Sequence, residues 1–251
     1  MQPDTCSSTL GFVLVAGMAA GMYALDNGSA LNADYQHSFT ERDSGGWVSR
    51  PGNAWSSMVY AALAIYLWAN ATSRPLARGT ESAVLAWFAY ESWSYHATAS
   101  RWKGCQDLWC VVYLCLSCTT RYLTRDDNVG VALTWCAMGP LLADAALNRP
   151  DNGIVVANNE GMISVLVYIL LWFSIRKWVQ FSAFAIAFTA KVIDMTLAKH
   201  GVHAGIVNGT STFHVLTGLA MYYHYRDHIL AEKSSPGGPA SWSPLVASTK
   251  A

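Results

Sequence analysis

Ser92, His96 and Asp107 have the types and spacing for hydrolytic chemistry. Ser92 and His96 are four residues apart, so on a helix they sit one above the other on the same face. Asp107 heads the next apolar run. A hydroxyl, an imidazole and a carboxylate at one end of two consecutive membrane helices are costly unless they serve a purpose. The plainer reading is a polar helix end meeting lipid headgroups. His214, which opens the last apolar run, adds a second imidazole at the same end. His96 and His214 are therefore candidate metal ligands, and Asp107 is a candidate ligand or a base for water. A zinc ion held by three protein ligands keeps one position open and lowers the pKa of water there to about 7. Ser92, one turn from His96, is placed to donate a hydrogen bond to a developing oxyanion. Nothing like His-Glu-x-x-His occurs, and an interfacial histidine equally suits a headgroup-facing side chain.

Three further groups lie at the same end. The loop His37-Ser-Phe39-Thr-Glu41-Arg42 leads through Trp47 to Arg50-Pro51-Gly52-Asn53-Ala-Trp55-Ser56-Ser57. Pro51 and Gly52 break the chain there, and Asn53 is a plausible N-cap. Glu41 is either a cation ligand or a group that orients one. Lys191 and Asp194 are three apart, so a buried ion pair is the default expectation. A lysine inside a membrane span is also a candidate Schiff-base site for an aldehyde such as retinal, although no matching pocket motif precedes it. His200 and His203 lie in the loop before the last apolar run.

The elements that must position these residues read as membrane helices. Eight apolar segments are long enough, or nearly so, to span: about 9–25, 54–70, 81–98, 107–124, 129–147, 161–175, 179–198 and 209–225. The boundary between the sixth and seventh rests only on Arg176-Lys177. The first segment lacks a basic flank before it, which favours a retained helix over a signal peptide. Residues 1–233 thus form one transmembrane domain, and the Pro/Gly/Ser-rich stretch 234–251 reads as a disordered tail.

Composition agrees. The chain is 53% hydrophobic and 13% charged, against about 25% charge in a typical soluble domain, and its mean hydropathy is +0.22. Eleven Trp and twelve Tyr suit two interfacial aromatic belts. The net charge is zero, which gives no electrostatic case for nucleic acid. Cys110, Cys115 and Cys118 lie within an apolar run and read as small core residues; a disulfide from Cys105 has no supporting pattern. Sequons occur at Asn27, Asn70 and Asn208, the last too near the membrane for use.

With eight spans both termini share a side, and the loops there hold nine of the sixteen Lys/Arg against six opposite. This favours cytoplasmic termini. Whichever side is which, Asn53, Ser56, Ser92, His96, Asp107 and His214 gather at the other end. Glu91, Asp144, Lys191 and Asp194 fall in the same half of the bilayer. Intramembrane charges usually face a cavity or one another, so a polar chamber is expected at the non-terminal end.

In this order the residues resemble a family. Ser92-x-x-x-His96, Asp107 eleven residues on, and the late His214 in Phe-His-Val-Leu-Thr-Gly-Leu are similar to the alkaline ceramidases and to the wider superfamily containing the progestin and adiponectin receptors. His37-x-Phe39-x-Glu41-Arg42 and Asn53-Ala-Trp-Ser56-Ser are similar to the segment before that family's first shared helix. The resemblance covers about 37–225. It implies an all-α, polytopic transmembrane bundle with a seven-helix ceramidase-like core and one extra N-terminal helix. It also implies an intramembrane Zn2+ whose water cleaves the amide of ceramide to a sphingoid base and a fatty acid. His96 and His214 match zinc ligands, Asp107 matches the residue that orients or deprotonates the water, and Ser92 matches the serine beside the metal. One position departs: the family's last helix carries His-x-x-x-His, and here the partner of His214 is Thr210. A hydroxyl is a poor zinc ligand beside imidazole. His203 or His37 is then a substitute ligand, or Asp107 ligates directly, or the protein is a non-catalytic lipid-binding relative. Of the family's acidic Ca2+ site only Glu41 is matched. The implied partner is a ceramide-like membrane lipid. Endoplasmic reticulum, Golgi and plasma membrane stay equally open.

Overall fold

The computed structural model describes residues 39–70, 75–98, 101–124, 127–147 and 177–234, with short helical pieces at 13–17 and 165–167. Among these residues there is no strand, and the chain is all-α. The helices are α1 (Pro51–Ser56), α2 (Val59–Ala69), α3 (Pro75–Thr98), α4 (Arg101–Thr124), α5 (Asp127–Leu147), α6 (Trp178–Lys199) and α7 (Gly209–Ser234). The first and sixth expected spans, His37 and the C-terminal stretch lie almost wholly outside the described residues.

Four boundaries differ from the sequence expectation, among them the end of α7, which runs to Ser234 rather than stopping near 225. The span expected over 54–70 is broken at Ser57–Met58. There Ser56 and Ser57 donate back to the carbonyls of Asn53 and Ala54 at 3.0 and 2.7 Å, an alternative that competes with the helical ladder. Helix α3 begins at Pro75, where a proline costs no intrahelical bond. Its first turns are buried rather than looped, because Arg78 meets Glu81 at 3.6 Å and lies over the Tyr225 ring. Helix α4 begins at Arg101, so only two residues separate it from α3 and Cys105 falls on a helix.

Consecutive helices pack on one another from α2 through α5, and α6 packs on α7. Helix α7 closes the set by also touching α1 and α2, and α1 touches α3. The core joins Tyr60, Leu63 and Leu67 of α2, Leu85 and Phe88 of α3, Trp109 and Tyr113 of α4, and Met221 and Tyr225 of α7. Cys110 is a buried thiol within it, while Cys115 and Cys118 are buried in a second, smaller cluster with Phe184 and Ala220.

Polarity on α6 is reversed relative to a soluble helix. Gln180 and Asp194 are buried with Phe184, Ala187 and Ala198, while Trp178, Val179, Ile186, Val192 and Ile193 are exposed. Helix α6 is long and apolar enough to cross a membrane, with mean hydropathy 1.5. Val129–Gly139 is a shorter apolar stretch. Among the described residues no other helix passes the same test.

Candidate functional site

The site is assembled from helix ends. Asn208 caps α7: its side chain accepts from the Ser211 N–H at 2.9 Å, and its own N–H donates to Ser211 Oγ at 2.9 Å. This reciprocal box is a strong N-terminal stop signal, and it fixes the face carrying Thr210, His214 and Thr217. Helix α1 is held at its start by Glu41, whose carboxylate accepts from the N–H groups of Gly52 and Asn53 at 2.7 and 2.9 Å. A carboxylate at a helix N-terminus satisfies donors that have no intrahelical partner. Glu41 also accepts from Asn208 Nδ2 at 3.4 Å, so one side chain ties the starts of α1 and α7 together. Gly52 permits the approach: a Cβ there would fall 2.1 Å from the Ile206 carbonyl oxygen.

These clips set two imidazoles against each other. His96 (1% exposed) and His214 (4% exposed) have ring centroids 5.3 Å apart. Ser56 Oγ lies 2.9 Å from His214 Nδ1 in a hydrogen bond, which leaves Nε2 as the free ligand nitrogen. Phe39 meets the His96 ring edge-on at 5.1 Å, and Tyr60 and Phe213 meet His214 in the same manner at 6.0 Å each. The backbone of Arg50 donates to the His96 carbonyl at 3.1 Å, pinning the 39–50 loop on the end of α3.

Ser92 is fully buried one turn from His96. It is a polar neighbour of the Asp107 carboxylate, although its Oγ and Asp107 Oδ1 form no hydrogen bond of ordinary geometry. His96 Nδ1 is likewise buried without a hydrogen-bond partner among the described residues. Such atoms cost about 1–3 kcal/mol each when left unsatisfied, and three of them converge here.

Lys191, Asp194 and Thr210 are arranged otherwise than expected. Lys191 does not pair with Asp194 directly. Its Nζ donates to Thr210 Oγ1 at 3.0 Å, and the Thr210 hydroxyl donates in turn to Asp194. Thr40 donates to the second oxygen of the same carboxylate. The Lys191 ammonium lies 4.5 Å from the centroid of Phe39, and the guanidinium of Arg50 lies 4.9 Å from it. Such stacking compensates a partly desolvated cation. Lys191 is also within electrostatic reach of Asp107, His96 and His214. Below His214, an apolar cleft of about 20 Å³ is lined by Tyr60, Phe88, Leu114, Phe184, Phe213 and Met221 among others. At its polar end Tyr60 and Thr217 share a hydrogen bond of 2.7 Å.

The residues can be tested against the two metals the resemblance implies. Two imidazoles on one tetrahedral zinc, at about 2.0–2.1 Å, have centroids about 5 Å apart, and the His96–His214 spacing fits. The unsatisfied Asp107 oxygen is the third donor available. Thr210 is not, because its hydroxyl is committed to Lys191 and Asp194. His203 is exposed on the loop before α7, away from the buried imidazoles. Among the described residues no three His, Cys, Asp or Glu side chains stand close enough together to form a ready-made metal group, so Asp107 would have to close in. Calcium at Glu41 fits poorly. Both of its oxygens already accept N–H groups, which a cation would displace.

Ser56, Thr40 and Arg50 are the site residues that the spacing pattern did not single out for their contacts. Only Ser56 carried a signal, as a hydroxyl at the correct end of its helix. No protein-family model, curated protein or solved structure matches this chain.

Proposed function

We propose that this chain is a multi-pass helical membrane protein of the alkaline ceramidase type. In this reading its chamber hydrolyses the amide of ceramide or a related lipid amide to a sphingoid base and a fatty acid. The observation that carries the reading is the buried His96–His214 pair, 5.3 Å apart, with Ser92 and Asp107 beside it and an apolar cleft below. The membrane reading draws on the reversed polarity of α6. It also draws on exposed Ile65 and Trp68 of α2 and Val215 and Leu219 of α7, set against buried Glu81, Glu91, Lys103 and Asp194. Charges inside and aliphatic groups outside suit a lipid solvent.

Zinc held by His96 and His214 would polarise the amide carbonyl and acidify a water molecule, leaving Asp107 free as the base. The chain's own residues supply the rest. Asp107 accepts the proton of the attacking water and delivers it to the departing amine nitrogen, while the hydroxyl goes to the carbonyl carbon. Ser92 donates a hydrogen bond to the carbonyl oxygen as it gains charge. Ser56 holds the His214 ring in one orientation.

The test is metal content beside ceramide hydrolysis, in wild type, His96→Ala and His214→Ala. The expected result is about one zinc per chain and measurable hydrolysis, both lost in each variant. A wild-type protein prepared without chelators and free of zinc would sink the proposal.

A second reading, a non-catalytic lipid-binding protein on the same scaffold, is favoured by one observation. Thr210 replaces the third imidazole and is tied into the Lys191–Asp194 bridge. Ceramide bound but uncleaved by zinc-free protein would establish it.

A further inference from the structure

Glu41 is the one position at which the resemblance implies a Ca2+ ligand, and its carboxylate is filled in another way. The residue is 5% exposed. Its Oε1 accepts from the Gly52 N–H at 2.7 Å, and its Oε2 accepts from the Asn53 N–H at 2.9 Å and Asn208 Nδ2 at 3.4 Å. An ionised carboxylate has about four lone-pair sites, and N–H donors use three of them. Calcium takes about six to eight oxygen ligands. To reach Glu41 it would displace those donors and sit at the starts of α1 and α7, where the helix dipoles are already positive. Arg50 and Lys191 add positive charge, each stacked on Phe39, two residues before Glu41. Asp194 is committed to Thr40 and Thr210, and Asp43, on the exposed side of the loop, turns to the Gly45 N–H at 2.9 Å.

Residues 40–50 form a strap over the site end. The Thr40 carbonyl accepts from the Ala204 N–H at 3.0 Å, and its hydroxyl donates to Asp194 of α6. The N–H groups of Ser49 and Arg50 donate to the carbonyls of Ala97 and His96 at 3.0 and 3.1 Å, at the end of α3. Glu41 adds the starts of α1 and α7. The strap is therefore bonded to all of the helices that carry Ser56, His96, Lys191 and His214. Ser56 on α1 meets His214 on α7 at 2.9 Å. That bond is only as fixed as the relation between the two helix starts, and Glu41 is bonded to both.

We propose that Glu41 is a calcium-free latch. Its carboxylate, held among the described residues by N–H donors alone, locks the strap and is a positioning residue for the Ser56–His214 pair. The latch itself does not depend on the hydrolase reading. Its effect on zinc affinity does rest on that reading.

The experiment uses the full chain in phosphatidylcholine nanodiscs, stripped of divalent cations and returned to buffer with or without about 1 mM Ca2+, enough to fill even weak calcium sites. Calcium content, melting temperature and zinc affinity against a calibrated chelator are measured for wild type, Glu41→Gln and Glu41→Ala. Wild type should hold no calcium and melt at the same temperature in both buffers. Both variants should melt lower, and Ca2+ should restore neither. Two variants are used so that misfolding of one leaves the other, and the wild-type calcium measurements need neither. At a temperature where the variants stay folded, Glu41→Gln should weaken zinc binding by about 10–100-fold. Added to Ser56→Ala it should cost less than about threefold more, because both changes act on one ring. A merely structural clip would instead leave zinc affinity of the folded protein unchanged, and that result would overturn the positioning role. About one calcium per wild-type chain, lost in Glu41→Gln, would overturn the latch in favour of a cation site, as would a wild-type melting temperature raised by Ca2+. Calcium indifference with lowered melting of the variants, in a wild type that takes up no zinc, would remove the hydrolase reading and uphold the latch. Zinc uptake and ceramide cleavage that require Ca2+ would remove the latch and uphold the hydrolase reading.

Discussion

His214 depends on a residue from a distant part of the chain. The imidazole has two nitrogens, and the one that Ser56 engages decides which is left for a ligand. Ser56→Ala should leave the fold in place but cut zinc affinity and hydrolysis by about 10–100-fold. Ser56→Thr, which keeps a hydroxyl, should retain most of both. Competition with a calibrated zinc chelator, read beside the melting temperature, separates loss of orientation from loss of fold. At this scale the sequence was partly informative. Ser92 and His96 could be assigned to one face because helical spacing is local. The Ser56–His214 bond spans 158 positions and nothing local announces it. Glu41 shows the same limit. Its residue type suited a cation ligand, but only the approach of Gly52, Asn53 and Asn208 reveals that N–H donors fill it.

Among elements, the close approach of α6 and α7 governs the site, because Lys191 and Asp194 lie on one and Thr210 and His214 on the other. Gly209 is what permits it. A Cβ there would sit 2.1 Å from the Ala190 carbonyl oxygen and 2.6 Å from Asp194 Cβ. Gly209→Ala should destabilise the protein by about 1–3 kcal/mol or more, seen as a lower melting temperature in detergent. Gly139→Ala on α5, where nothing lies within 4 Å of the added carbon, should be neutral or stabilising by up to about 1 kcal/mol. Helix existence was legible from apolar runs. The break at Ser57–Met58 and the buried start of α3 were not, since hydroxyl back-bonding and the Arg78–Glu81–Tyr225 contacts outweigh what hydropathy alone suggests. Asn208 also changes meaning at this scale. Its side chain is consumed as a helix cap, which is a firmer bar to glycosylation than nearness to a membrane.

For the whole molecule, the two ends of the helical set differ in how they carry charge. At the site end, carboxylates are buried against N–H and O–H donors. At the opposite end, Asp227 of α7 meets Lys177 at 3.0 Å and Arg226 at 3.0 Å, and accepts from Gln180 of α6 at 3.2 Å. Burial works to raise the Asp227 carboxyl, but the hydrogen bonds from Lys177 and Arg226 outweigh it and hold the group below its ordinary value of 3.8. A depressed carboxyl stabilises the fold above that ordinary value and loses its contribution as pH falls through the lower folded one. Asp227→Asn should therefore weaken the α6–α7 closure by less than about 1 kcal/mol near neutrality. The difference from wild type should vanish in strong acid, as melting curves from pH 7 down to about pH 2 would show.

The Thr210 hydroxyl has a consequence for how this sequence can change. It receives a proton from Lys191 and gives one to Asp194, so it serves two partners of opposite charge at once. An imidazole at 210 would fill both places only in one orientation, and would then have no nitrogen left for a metal. A histidine substituted there alone and turned to a metal would strand either the ammonium or the carboxylate, and replacing Lys191 alone would leave the hydroxyl without its donor. The two positions are thus mutually conditioned. A third imidazole ligand is reachable only through a paired change, and each single step toward it passes through a less stable intermediate.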